Sequence, residues 1–351
     1  MGRESARRSC ANLSQDKVVP LTAIMWNAVR LVRKAVFLYR AKTGRFPPGV
    51  LEIGAKEICF TMRDFFEIPK PSYTFEIFPP KGSSNLAGTY ATIDALVSLT
   101  PDMISVTYCA GGTSRDNTLT IASTIQNSYS VSGVAHLTCV GSTRENIDQI
   151  LDELKAANIR NILALRGDLK EPSDLGEFTY ASDLITHIRT RDGFRVFAAC
   201  YPEKHVEAKS EAEDLRHLHK KVACGVDALI TQLFFDNDIF CRFRDRVRAI
   251  GIDTPIITGI MPVTSASQID KMITMCGATV PERVLRFVNA YGHNSHAMKQ
   301  AGIAYATEQI VDLLARGVDG IHLYTMNQPD IVRSIDENIR GILYSMRVKK
   351  G

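Results

Sequence analysis

From Tyr73 onward, short apolar runs rich in β-branched and aromatic residues alternate with segments whose apolar positions recur every three or four residues. The short runs are Tyr73–Ile77, Met103–Tyr108, Val134–Val140, Asn161–Leu165, Arg195–Ala199, Ala228–Phe234, Pro255–Ile260 and Gly320–Tyr324. Their length and composition predict strands, and most are separated by about 30 residues, the length of one strand–helix unit. Helices are predicted between them. Thr143–Ala157 places Ile147, Ile150, Leu151 and Leu154 on one face, and Ser210–Ala223 does the same with Leu215, Leu218 and Val222. The last gap, from Ile260 to Gly320, is longer and holds additional helix, best marked over Asn294–Arg316. Eight such units predict an α/β fold of the closed (β/α)8, or TIM, barrel type. The competing open, doubly wound sheet usually carries a glycine-rich fingerprint after its first strand. Here the first run ends in Phe78-Pro79-Pro80, which cannot make that turn, and no P-loop pattern occurs.

The segment ahead of the first run has a different character. Residues 1–61 hold eleven Lys/Arg against four acids, a net of +7 in a chain whose total is +4, so residues 62–351 sum to −3. A slightly acidic body gives no support to nucleic-acid binding, which needs a basic face. Two domains are therefore expected: a basic N-terminal extension over 1–61 and the barrel over 62–351. Within the extension, Leu21–Tyr39 reads as a helix, with Ile24, Ala28, Leu31, Ala35 and Leu38 at steps of three and four. It fits a peripheral helix packed on the body, a helix skimming a membrane surface, or non-native sequence ahead of a start at Met62. It lacks the apolar stretch of a secretory signal, and Glu4 and Asp16 weaken a transit-peptide reading.

Composition narrows the class further. At 45% apolar and 23% charged residues, a largely disordered chain is excluded. No run of about 18 uncharged apolar residues occurs, so no membrane span is expected. The eight cysteines form no CxxC pair and no cluster with histidine, and Cys139 and Cys200 sit inside apolar runs. That pattern fits buried, reduced thiols of a cytoplasmic protein better than disulfides, zinc or iron–sulfur sites.

In a barrel, chemistry gathers at the carboxyl ends of the strands. The polar residues there are Glu76, Thr107-Tyr108, His136, Arg166-Gly167-Asp168, Tyr201, Gln232 and Tyr324-Thr325. Packing gives no reason for an acid between Phe75 and Ile77. A buried carboxylate without a partner costs several kcal/mol and usually takes up a proton instead. A general acid at neutral pH needs that raised pKa, so Glu76 is the first candidate for proton transfer. A carboxylate paired with an arginine to brace the barrel is the plainer alternative. Asp168 follows Gly167, which permits either a close ligand approach or an ordinary turn. His136 reads equally as a satisfied core histidine or a ligand contact. Tyr201 and His205, four apart in one loop, suit a ring and a phosphate, or solvent. Leu233, Phe234 and Phe235 beside Gln232 suggest an aromatic-lined wall.

Taken in order, these residues fall into motifs. They are Phe75-Glu76-Ile77-Phe78-Pro79-Pro80-Lys81, Ser105-Val106-Thr107-Tyr108, His136-Leu137-Thr138-Cys139, Leu165-Arg166-Gly167-Asp168 and Tyr180-Ala181-Ser182-Asp183. Tyr201-Pro202-Glu203 through His205, Ala208-Lys209-Ser210, Thr231-Gln232, Gly259-Ile260-Met261-Pro262 and Tyr324-Thr325-Met326-Asn327 continue the series. Each is weak alone; the ordered set, from about Tyr73 to Asn327, resembles the catalytic domain of bacterial-type methylenetetrahydrofolate reductases. The resemblance implies a TIM barrel that binds FAD at its carboxyl face. It implies reduction of 5,10-methylenetetrahydrofolate to 5-methyltetrahydrofolate with NADH or NADPH, the two substrates using one site in turn. It also implies a role in one-carbon metabolism and methionine synthesis.

By the same resemblance, Glu76 is the general acid that helps open the folate five-membered ring, and Asp168 lies near the flavin pyrimidine edge and the pterin. The FAD contacts implied are Tyr108, Ala110, His136, Arg166, Gly167, Asp168, Ala181, Tyr201, His205, Ala208, Asp214, His217 and Lys221. Arg166 and Lys221 suit the pyrophosphate. Substrate contacts implied are Thr107 for nicotinamide, Gln232 for nicotinamide and folate, and Asp168, Gln268 and Gln328 for folate. No metal is implied.

Two positions depart from the family pattern. Gln328 stands where an arginine often helps hold folate. Met272 stands where some relatives place a phenylalanine against the substrate, and methionine is the more adaptable filler. The chain also ends soon after the barrel, so control by S-adenosylmethionine through a regulatory domain is not expected. Expected partners are the folate and the nicotinamide, without nucleic acid or membrane, in a homo-oligomer that could take electrons from a donor subunit. Two other classes stay open on the residues alone: a metal-dependent lyase using Glu76, Asp168 and His136, and a flavin-holding electron-transfer partner.

Overall fold

The computed structural model describes residues 65–80, 86–108, 112–169 and 176–348. The expected extension over 1–61, including its helix, and Ala110 lie outside the described residues, as do the side chains of residues 112–116, 270 and 271.

Eight parallel strands close into a barrel in sequence order. They are β1 (Ser72–Ile77), β2 (Met103–Val106), β3 (Ser132–Thr138), β4 (Asn161–Leu165), β5 (Arg195–Cys200), β6 (Ala228–Thr231), β7 (Ile256–Ile260) and β8 (Gly320–Tyr324). Each expected run overlaps one strand. Three end earlier than their apolar runs, at Val106, Thr138 and Thr231, where the chain leaves the ladder for the loops of the barrel mouth. Ladder bonding fades over one more residue: Thr107 N–H still donates to the Ile77 carbonyl, and Gln232 N–H to that of Cys200.

The helices are α1 (Leu86–Val97), α2 (Gly112–Tyr129), α3 (Arg144–Ala156), α4 (Ala181–Ile188), α5 (Glu211–Ala223), α6 (Asn237–Ala249), α7 (Ser267–Cys276), α8 (Glu282–Tyr291), α9 (Ser295–Ala315) and α10 (Pro329–Val348). Local chemistry sets their starts. Thr143 accepts the Asn146 N–H, Ser210 that of Glu213, and Asn294 those of His296 and Ala297, each satisfying donors that the first helical turn leaves free. The long last gap holds α7, α8 and α9.

Strand alternation divides the core in two. Phe75, Ile77, Ile104 and Val106 face outward into the layer under the helices. Met103, Val134, Leu163, Phe197, Ala228, Ile230 and Ile257 fill the inside of the barrel. Phe65 joins this inner cluster from a short 3-10 turn (Phe65–Glu67), its ring 5.4 Å from that of Phe197, and so plugs the amino-terminal end. Arg347 of α10 ties the amino ends of β1 and β2: it donates to the Pro71 carbonyl ahead of β1 and pairs with Asp102 ahead of β2. With one end plugged by apolar rings, polar residues on the inner face can meet a ligand only at the carboxyl end.

Candidate active site

Glu76 points into the barrel from β1 and is buried. Its partners are not arginines. His136 Nε2 on β3 lies 3.5 Å from Glu76 Oε2, and His322 Nε2 on β8 lies 3.6 Å from the same oxygen. Neither nitrogen has a hydrogen-bond partner, and the hydroxyls of Ser105 on β2 and of Thr107 just past its end have none either. Buried polar atoms are almost always paired with protein or ordered water. Several orphans on one inner face therefore mark a place built to meet a polar ligand.

Burial pushes the His136 pKa down from its ordinary 6.5 to about 4, against the opposing pull of Glu76, so the ring is neutral near pH 7. The unfolded chain then binds a proton that the folded one refuses, and stability falls as pH drops from about 6.5 to about 4. We expect up to about 3 kcal/mol to be lost across that window. His136→Asn should flatten the acid limb of a Tm-against-pH curve; parallel curves for the two proteins would contradict this.

The backbone of Glu76 is clasped from β8. Thr325 donates its hydroxyl to the Glu76 carbonyl at 2.6 Å. Asn327 makes a two-way bridge to the next turn, accepting the Phe78 N–H at 2.9 Å and donating to the Phe78 carbonyl at 2.8 Å. Met326 and Asn327 take left-handed φ values of 49° and 57° to make this reach. The Tyr-Thr-Met-Asn motif is thus a buckle that fixes the acid. Beside it, the Tyr324 hydroxyl donates to the Thr231 carbonyl at 2.7 Å. Gly259 leaves room for that ring: a Cβ there would lie 2.7 Å from it and 2.3 Å from the Thr231 oxygen.

A second group of residues lines the rim. Arg166 ends β4 and grips Glu207 with both guanidinium nitrogens, at 2.6 and 2.7 Å, and this pairing holds the Glu207 carboxyl below the usual range. Gly167 has φ +91°, a conformation strained for other residues, and turns the chain so that Asp168 is exposed at the rim. Tyr201 and His205 meet edge to face at 4.6 Å. Burial raises the Tyr201 phenol to about 12 and lowers the His205 imidazole.

Asp214, His217 and Lys221 follow at steps of three and four on α5, which places them along one face. Asp214 is raised by burial and accepts the His205 backbone N–H. The Lys221 ammonium donates to the Ala199 carbonyl at 3.0 Å, and burial lowers its pKa. His217 is exposed, Ala181 opens α4, and Ala208 is buried with its carbonyl accepting from Lys204. Tyr108 and His136 line one small cavity of about 20 Å³.

The residues expected to touch substrate are less uniform. Thr107, just past the end of β2, has a buried hydroxyl without a partner. The Gln232 side-chain oxygen accepts its neighbour's N–H, that of Leu233, at 2.8 Å. Gln268 uses its side-chain oxygen to hold the N–H groups of Thr264 and Ser265, so it shapes the loop before α7. Gln328 is half-buried, and its carbonyl accepts from Ile331 at the start of α10. Met272 is buried in an apolar cluster with Leu233, Phe235, Val263 and Ile269.

Sequence reasoning passed over His322 and Glu207. His322 lies two residues before Tyr324, and the period of two puts both on the inner face, which is the signal that could have found it. Glu207 had no comparable mark. A larger cavity of about 270 Å³ shares no residue with the mouth. Within it Arg283 pairs with Glu308, and Arg316 with Asp238 and Asp312. Among the described residues, no cluster of three or more His, Cys, Asp or Glu could hold a metal ion, and no helix is long and apolar enough to cross a membrane.

Comparison with known proteins adds to this geometry. The model of the methylenetetrahydrofolate reductase family matches residues 61–340. The chain is 37% identical over 262 residues to the 5,10-methylenetetrahydrofolate reductase of Escherichia coli K12, covering 75% of this chain and 88% of that protein. It is 38% identical over 291 residues to methylenetetrahydrofolate reductase (NADH) 1 of Arabidopsis thaliana, covering 78% of this chain and 48% of that one. The chain thus spans about half the length of the plant relatives it matches. Among solved structures, a protein of Clostridium thermocellum that binds two copies of 5-methyl-5,6,7,8-tetrahydrofolic acid shares the fold. Its TM-score is 0.56 at 13% identity, with 80% of this chain and 98% of that one covered.

Proposed function

Because the chain belongs to the methylenetetrahydrofolate reductase family, we propose that it reduces 5,10-methylenetetrahydrofolate to 5-methyltetrahydrofolate with NADH or NADPH, using FAD held at the barrel mouth. The observation that carries this reading is the buried Glu76 carboxyl at the carboxyl end of the inner face, between two imidazole nitrogens and beside unpartnered hydroxyls. It is a preorganised place for delivering one proton.

The residues present fit the flavin. Arg166 and Lys221 supply cations for a pyrophosphate, and Tyr201 with His205 supplies an aromatic edge. When bound, FAD supplies the hydride-carrying chemistry that no side chain can perform. The chain's own part is to position and to protonate. Thr107 meets the nicotinamide, Gln232 meets the nicotinamide and the folate in turn, and Asp168, Gln268 and Gln328 hold the folate. Glu76 hands its proton to the folate ring nitrogen that becomes the leaving group. The reading extends to a cytoplasmic homo-oligomer serving one-carbon metabolism and methionine synthesis, with residues 1–61 as a separate extension.

The first test is spectral. Protein reconstituted with FAD should be yellow and should bleach anaerobically with NADH or NADPH, titrated separately to settle the donor. A protein that retains no flavin overturns the reading. A flavin that bleaches only with a partner protein would favour an electron-donor subunit. Asp168 gives a residue-level expectation: Asp168→Asn removes a negative charge near the ring and makes added electrons less costly. The bound flavin's potential should rise on the order of 30 mV, equal to about 1.4 kcal/mol for a two-electron couple. An unchanged potential in a redox titration would place Asp168 away from the ring.

A further inference from the structure

The guanidinium of Arg166 is already engaged on both its forks. Its two terminal nitrogens donate to the two carboxylate oxygens of Glu207 at 2.6 and 2.7 Å, and its Nε–H donates to the Gly167 carbonyl at 3.2 Å. A guanidinium presents its five N–H groups as two forks, one between the terminal nitrogens and one between Nε and its neighbour. Glu207 fills the first fork, and the Gly167 carbonyl takes one prong of the second. Neither fork is left whole for a phosphate group, which is held best by two parallel N–H bonds. Sharing the cation would also set a carboxylate against a phosphate, and like charges in one site repel.

The two partners are unequally committed. The Arg166 side chain keeps 19% of its surface exposed, that of Glu207 56%. Among the described residues, Glu207 is the acid paired with Arg166. The less exposed partner therefore needs a counter-charge, whereas the carboxylate passes to water at small cost. The Glu207 backbone is anchored apart from its side chain. Its N–H donates to His205 Nδ1 at 3.1 Å, and the Ala208 N–H donates to the His205 carbonyl at 3.0 Å. The carboxylate can thus swing away by side-chain torsions alone, while the loop between β5 and α5 keeps its shape.

We propose that Glu207 is a built-in stand-in for the flavin pyrophosphate: its carboxylate holds the Arg166 fork until flavin binds, then swings into water as a phosphate takes its place. This rests on the reading of Arg166 as a flavin contact. The step is an exchange of ion pairs, with no covalent bond made and no proton moved. Glu207 then sets cofactor affinity without touching the cofactor, and with a sign opposite to that of its neighbours. A brace for Arg166 would loosen flavin binding when neutralised; a competitor for Arg166 tightens it.

Glu207→Gln keeps the length of the side chain and removes its charge. The Kd for FAD, read on the full-length apoprotein by quenching of flavin fluorescence, should fall about fivefold, the worth of one half-exposed ion pair. Glu207→Ala should shift it in the same direction. In an Arg166→Ala background, Glu207→Gln should change the Kd less than about twofold, because no guanidinium remains to contest. Thermal melts close the cycle. Glu207→Gln should melt below wild type without flavin and level with it at saturating FAD, since the ion pair lost is one that the loaded protein no longer holds. Weaker or unchanged binding in both Glu207 variants overturns the proposal. So does equal tightening in the Arg166→Ala background, which would mean plain charge repulsion. An FAD affinity that Arg166→Ala alone leaves unchanged would instead overturn the underlying reading of Arg166, which separates the two failures.

Discussion

Glu76→Gln should abolish the folate half of the reaction while leaving the nicotinamide half intact. Glutamine keeps the shape and burial of the side chain but has no acidic proton. The clasp from Thr325 and Asn327 acts on the backbone of residues 76 and 78, so the substituted side chain stays in place. A positioned general acid contributes roughly 10² to 10⁴ in rate. Folate-dependent reoxidation of the reduced enzyme, followed by stopped-flow absorbance, should slow by that factor, while bleaching by the nicotinamide stays within about twofold, since hydride donation needs no acid. Equal losses in both halves would mean that Glu76 supports the pocket and does not protonate the folate.

Arg166→Ala should weaken flavin binding more than any other rim substitution. The guanidinium already shows the two-pronged geometry that suits an anion, because it grips Glu207 with two nitrogens. A pyrophosphate drawing on the same cation would either share it with Glu207 or displace that carboxylate. Hydrogen bonds to charged groups are worth about 1.5–3 kcal/mol, so the Kd for FAD should rise roughly 10- to 100-fold. Titration of the apoprotein with FAD, read by quenching of flavin fluorescence, measures it. An unchanged Kd would place the pyrophosphate elsewhere, with Lys221 as the remaining cation.

These two residues mark how far a one-dimensional reading reaches. The barrel was readable because its signals are local. Eight apolar runs at regular spacing give the strands, and the caps at Thr143, Ser210 and Asn294 give helix starts, since each depends on neighbours a few residues away. Glu76 was conspicuous because an acid between Phe75 and Ile77 has no packing purpose. Its histidine partners were not predictable in that way. His322 meets Glu76 only because the barrel closes and sets β8 beside β1 in one register, a fact no local pattern contains. The alternative of an arginine brace for Glu76 is not what the structure shows, since the nearest groups are His136 and His322. Gln268 shows the converse: its position suggested a ligand contact, yet its side-chain oxygen is committed to the loop at Thr264 and Ser265, leaving its amide nitrogen as the group to offer a substrate.

One single-turnover experiment bears on the whole account. FAD-loaded protein is reduced anaerobically with one equivalent of NADH or NADPH, freed of the oxidised nicotinamide, and mixed with 5,10-methylenetetrahydrofolate. The flavin absorbance should return in step with formation of one equivalent of 5-methyltetrahydrofolate per flavin. If the absorbance stays bleached and the folate is recovered unchanged, the chemistry assigned to this barrel mouth is wrong.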